Sequence, residues 1–140
     1  MAALPESAKE LIRGGALGHL VTVNRDGSPQ ASVVWVGVEG DDLVTGHFFR
    51  QQKHRNVERD PRVVLTFEGP EATKVPGLRD HLIVHGRAAI EPGGGAELLQ
   101  RLSVAYLGPD NDFPPMADPP DGLRLRIAVE RVGGVGPWAS

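Results

Sequence analysis

The stretch "ALGHLVTVNRDGSPQASVVWVGVEGDDLVTGHFF", Ala16 to Phe49, decides the class of fold. β-Branched and apolar residues dominate three runs within it, Leu17 to Val23, Gln30 to Val38 and Leu43 to Phe49, and each run predicts a strand. Asp26-Gly27 separates the first pair and Gly40-Asp41-Asp42 the second. These residues tolerate positive φ, so consecutive strands are expected to pair antiparallel, as a meander.

The period changes on both sides of this stretch. Toward the N-terminus, Ala8, Leu11 and Ile12 recur at helical spacing after Pro5, and Gly14-Gly15 ends the pattern, which predicts a short helix. On the other side, Gln51 to Asp60 lacks alternation, is rich in helix formers and ends at Asp60-Pro61, so a second short helix is expected to cross one end of the sheet. Strands follow at Arg62 to Phe67 and, after the turn-rich "EGPEATKVPGLR", at His81 to Ile90. Gly93 to Gly95 open a third helix, "AELLQRLSVAYLG", with Leu98, Leu99, Leu102 and Tyr106 on one stripe. A loop of prolines and aspartates runs from Pro109 to Gly122, and a last strand starts at Leu123 with Leu123, Leu125, Ile127 and Val129 on one face. About six antiparallel strands with helices at the corners predict a mainly β fold, a small barrel. The glycines and Pro137 of "GGVGPWAS" predict a fraying tail whose Trp138 is free to reach beyond its own barrel.

Length and charge narrow the function. With 140 residues one domain is expected. A formal net charge of -3 argues against nucleic acid or an anionic membrane as partner, because both are held by broad basic surfaces. The chain has no cysteine, which removes disulfides, thiolate catalysis and cysteine-held metals. "MAALPESAKELIRGG" is too acidic for a signal peptide and no run is long enough to span a bilayer, so a cytoplasmic location is expected.

Against that acidic background, "FFRQQKHRNVERDPRVVLTF", Phe48 to Phe67, concentrates cations. Arg50, Lys53 and Asn56 follow one another at i, i+3, while Arg55 and Arg59 pair at i, i+4 on a neighbouring face. Such a segment is either a solvated helix balanced by Glu58 and Asp60, or a seat for a small anion such as a phosphate, and spacing alone leaves both open. The five histidines show no metal-ligand spacing, and neither a nucleophile elbow nor a dinucleotide fingerprint is present. Trp35 and Trp138 are either packing residues or flat walls for an aromatic ligand.

Taken in order, "GHLVTVNRDGSPQASVVWV", "KHRNVERDPRVVLTF", "HLIVHGRAAI", "YLGPDNDFPPM" and "RIAVERVGGVGPW" resemble the pyridoxamine 5'-phosphate oxidase-like split β-barrel superfamily, specifically its deazaflavin-dependent oxidoreductases of the actinobacterial B branch. The resemblance implies a homodimer with cofactor grooves between subunits and coenzyme F-420 as cofactor, with flavin mononucleotide, FMN, as the alternative. It further implies that Lys53, Arg55 and Asn56 hold the phosphate, that Gln30, Ser32, His47, Phe48 and Phe49 flank the ring, and that Trp138 closes the groove from the other subunit. The implied reaction is hydride transfer to a conjugated C=C or C=N bond of a small-molecule substrate. Tyr106, His47 or water are the proton donors left open, and the rival readings are a non-catalytic carrier of the deazaflavin or a flavin and an FMN-dependent oxidase acting on pyridoxine phosphates.

Overall fold

A computed structural model describes residues 3–139; Met1 and Ala2 of the N-terminal segment and Ser140 of the tail lie outside the described residues. The elements in chain order are α1 (Glu6–Arg13), β1 (Gly18–Val23), β2 (Pro29–Val34), β3 (Gly37–Glu39), β4 (Asp42–His47), α2 (Gln52–Arg59), β5 (Arg62–Glu68), β6 (His81–Pro92), α3 (Gly95–Leu107) and β7 (Leu123–Val135). The strands form one antiparallel sheet of seven in the order β2-β1-β5-β6-β7-β4-β3.

That order explains the closure. The two edges of the sheet, β2 and β3, are consecutive in the chain and separated only by Trp35 and Val36. Three Cα steps reach at most about 11 Å, so the sheet must curl until its edges nearly meet, which makes a barrel with a split. The run expected as one strand from Gln30 to Val38 is therefore two. Its first half pairs back on β1, with Val21 opposite Ala31, and its second half on β4, with Val38 opposite Leu43. The expected six-strand meander becomes seven strands in which β1 also pairs with β5 and β4 with β7. Tyr106 of α3 closes the split: its hydroxyl accepts the Val36 N–H at 2.9 Å and donates to the Ala16 carbonyl at 2.8 Å.

Alternation along the strands fills the barrel. Leu20, Leu65, Phe67, Leu82, Leu125 and Ile127 are buried inside, and Ala8 and Ile12 of α1 pack on the same cluster. The buried residues of β7 are those expected, Leu123, Leu125, Ile127 and Val129. α3 can approach β4 only because its first residue lacks a side chain: a Cβ on Gly95 would lie 2.2 Å from the His47 carbonyl oxygen. The tail does not fray. β7 pairs with β6 as far as Val135, opposite His81, and the Trp138 indole donates to the His81 carbonyl at 2.9 Å while packing on the core cluster. An indole with a free carbonyl and an apolar edge within reach outweighs the freedom of the glycines before it. Among the described residues no helix is long and apolar enough to cross a membrane.

Candidate functional site

The site is built where α2 lies against β1. α2 is short and polar, so its inward face needs polar partners, and the barrel supplies them. Thr22 stands opposite Gln30, and Ser32 opposite Leu20, on the inward side of β1 and β2. Asn56, fully buried, donates to Thr22 Oγ1 and Asn24 Oδ1, both at 2.9 Å, and accepts from Gln52 Nε2 at 2.8 Å. Thr22 in turn donates to Gln30 Oε1 at 3.2 Å. The amide of Asn56 is thus consumed in tying α2 to the sheet, which leaves it nothing to offer the phosphate that the resemblance assigned to it.

Lys53, one turn earlier, differs. It is only 7% exposed, and its Nζ donates to Ser32 Oγ at 3.2 Å. The nearby carboxylates are spent elsewhere: Glu58 pairs with Arg50 and Asp60 with Arg62. Burial pushes the Lys53 ammonium below its ordinary pKa, as expected for a charge taken out of water without a counter-ion. Arg55 points outward, exposed, and donates to Gln52 Oε1.

Beside Lys53, His47 at the end of β4 and His54 in α2 meet edge to face, with ring centroids 4.5 Å apart. His54 accepts the Gln51 N–H at Nδ1, which puts its proton on Nε2, and that buried Nε2 has no partner. His47 shares a 2.7 Å hydrogen bond between Nε2 and Thr45 Oγ1. Burial, then the neighbouring His54 and Lys53, lower His47 to about 3; burial, then Lys53 and the arginines beside it, lower His54 to about 4. Both rings are neutral at physiological pH.

A cavity of about 230 Å³ opens beside these groups, lined by the polar Lys53 and His47 and by Val34, Trp35, Leu99 and Phe113 among its apolar walls. Phe48 also lines it, whereas Phe49 beside it is 64% exposed. The fold thus gathers Lys53, Ser32, Gln30, His47 and Phe48 of the expected site around α2, β2 and β4, and turns Arg55 and Phe49 toward solvent. Trp138 stands apart in a single chain, on a separate groove that it shares with Leu11, Ala16 and Arg79. The sequence reading missed Thr22, Thr45 and His54. The first two carry a signal, a polar residue at the core-facing position of an apolar strand. Tyr106 is occupied at the split of the barrel, which takes it off the list of proton donors.

Comparison with known proteins follows the same lines. The family model described as pyridoxamine 5'-phosphate oxidase matches residues 4–136. Among solved structures, an F-420 reductase is 28% identical, with 92% of this chain and 98% of that one covered at a TM-score of 0.74. A conserved hypothetical protein from Mycobacterium tuberculosis is 25% identical over 96% of this chain and 84% of that one, at 0.70. An FMN-binding protein from Syntrophomonas wolfei, 17% identical over 95% and 86% at 0.68, shares the fold. Curated proteins yield no match. With nearly the whole length matched, and with the edges of its sheet joined through Trp35 and Val36, the chain belongs to the pyridoxamine 5'-phosphate oxidase family of split β-barrels.

Proposed function

We propose that this protein is an oxidoreductase that uses coenzyme F-420 to transfer hydride to a conjugated C=C or C=N bond of a small organic substrate, working as a homodimer. One observation carries the reading: Lys53 is a buried cation with no carboxylate partner among the described residues, and it lines a cavity together with Trp35, Phe48 and Phe113. An unpaired buried ammonium is unfavourable, and the anionic group of a bound cofactor relieves it. The 28% identity to an F-420 reductase favours a deazaflavin over FMN.

When bound, the reduced deazaflavin supplies the hydride. The chain's own residues bind and orient. Lys53, with Ser32 fixing its Nζ, neutralises the anionic group, and the exposed Arg55 is available to the acidic tail. Val34, Trp35 and Leu99 exclude water from the reacting face. His47, neutral, is a hydrogen-bond partner and not a cation, and the proton that completes reduction comes from solvent. The dimer has its own support. Val21, Val64 and Ile83 lie half-buried on the outer face of β1, β5 and β6, and a cavity of about 230 Å³ is small beside the ~300–1,000 Å³ of ordinary ligand pockets. A second copy on that face covers the apolar strip.

Fluorescence titration with F-420 tests the reading. The wild type should bind F-420 more tightly than FMN, and Lys53→Ala should weaken F-420 by about 10- to 100-fold, the loss of one charge-assisted contact. An unchanged dissociation constant in Lys53→Ala, or stoichiometric FMN bound in preference to F-420, refutes it. Turnover of either 2-cyclohexen-1-one or 1,4-naphthoquinone separates a reductase from a carrier.

A further inference from the structure

Of the two tryptophans, one tyrosine and four phenylalanines in the chain, five stand in one row: Tyr106, Trp35, Phe113, Phe48 and Phe49. Trp35 stacks on Tyr106 with centroids 5.0 Å apart and planes 6° from parallel, and Phe113 lies 5.1 Å from Trp35 and 5.9 Å from Phe48. None of the five is buried, so the row is not core. Phe113 comes from the loop 108–122, none of whose residues is buried either. The loop adds nothing to the barrel interior, yet its conformation is held in place. Asn111 donates to the Gly108 carbonyl at 2.7 Å and accepts the Phe113 N–H at 2.9 Å, while Asp121 accepts the Gly94 N–H at 3.0 Å. What this bracing accomplishes is to set one aromatic ring in the wall of the cavity that Lys53 and His47 also line.

We infer that Trp35 and Phe113 form the substrate wall and that Phe113 determines specificity, selecting flat conjugated ring systems such as quinones or fused aromatic acceptors over compact aliphatic enones. The inference rests on the oxidoreductase reading and deepens it. The unpaired cation is the place for the cofactor's anionic group; Trp35 and Phe113 carry no charge and offer ring faces with which only another flat ring can stack fully. Because Phe113 is carried by a loop outside the core, exchanging it changes the wall without changing the barrel.

The test compares 1,4-naphthoquinone with 2-cyclohexen-1-one in wild type, Phe113→Ala and Phe113→Leu. In the F-420-loaded enzyme, Phe113→Ala should raise KM for the naphthoquinone about tenfold, and by at least fivefold more than for cyclohexenone, with Phe113→Leu between. A second readout needs no turnover. In a Trp138→Phe background Trp35 is the sole tryptophan, and naphthoquinone should quench it saturably in the cofactor-free protein, with the half-saturating concentration raised about tenfold by Phe113→Ala. If F-420 fails to bind the wild type, the cofactor reading falls and the quenching experiment still judges the wall. Equal losses for both substrates, unchanged quenching in Phe113→Ala, or a weakened F-420 dissociation constant in that variant overturns the inference, the last by making the wall part of the cofactor seat.

Discussion

Lowering the pH from 7 to 5 should destabilise this protein through two histidines. His47 and His54 are buried and neutral in the fold, with pKa values lowered to about 3 and about 4 from an ordinary 6.5. In the unfolded chain both take up a proton below 6.5, so the unfolded state binds more protons and stability falls with falling pH. The loss begins near 6.5 and ends once the pH has passed below the folded values. At pH 5 the distance is about 1.5 pH units, and at ~1.36 kcal/mol per unit each imidazole costs about 2 kcal/mol, about 4 for the pair. The carboxylates do not blur this window. Asp60, held at about 2 chiefly by its hydrogen bonds to Arg62, and the other lowered groups Asp26, Glu39, Asp41 and Asp80 have ordinary values of 3.8 or 4.5, so their stabilisation is lost mainly below pH 5. Urea unfolding at pH 8, 7, 6 and 5 measures the effect: a flat line from 8 to 7, then the fall. His54→Gln, whose amide oxygen can still accept the Gln51 N–H, should halve it. A wild-type loss under about 1 kcal/mol between pH 7 and 5, or a His54→Gln curve as steep as wild type, refutes the reasoning.

Lys53→Met should raise stability by about 1–2 kcal/mol, since it removes a buried unpaired charge while keeping its apolar volume, and should weaken F-420 binding by about 10- to 100-fold; denaturant midpoints and fluorescence titration read the two effects. Asn56→Ala strands the groups on Thr22, Asn24 and Gln52 and should cost about 3 kcal/mol, a stability loss seen by calorimetry in the absence of any ligand. Val64→Glu, on the outer face of β5, should yield a monomer by light scattering if that face joins two copies, and no change in mass would remove the dimer from the proposal. Trp138→Ala should lower stability by about 1–3 kcal/mol, because the indole packs on its own core and bonds the His81 carbonyl; an unchanged melting temperature would restore the fraying tail.

Much of this protein was legible from residues a few positions apart. The hairpin from Gly18 to Val34 with its Asp26-Gly27 turn, the helix ending before Asp60-Pro61 and the alternation of Leu123, Leu125, Ile127 and Val129 are short-range patterns, and short-range sterics and turn chemistry suffice to produce them. Lys53, too, could be singled out as a cation at helical spacing with polar neighbours. What distance along the chain concealed is who pairs with whom. The run from Gln30 to Val38 looks the same whether it stays on one partner or leaves β1 for β4 at Trp35, because alternation records which face a residue takes and not which strand lies beside it. The split of the barrel follows from β4 pairing with β7, some eighty residues away, and only that closure brings Tyr106 to the Val36 amide and Phe113 to Trp35. The same holds within α2. Its spacing places Lys53 and Asn56 on one face, but the sheet beneath decides that Asn56 is consumed by Thr22 and Asn24 while Lys53 bonds Ser32 and has no carboxylate partner among the described residues, since hydrogen bonding is settled by the atoms within about 3 Å and those atoms come from strands distant in sequence.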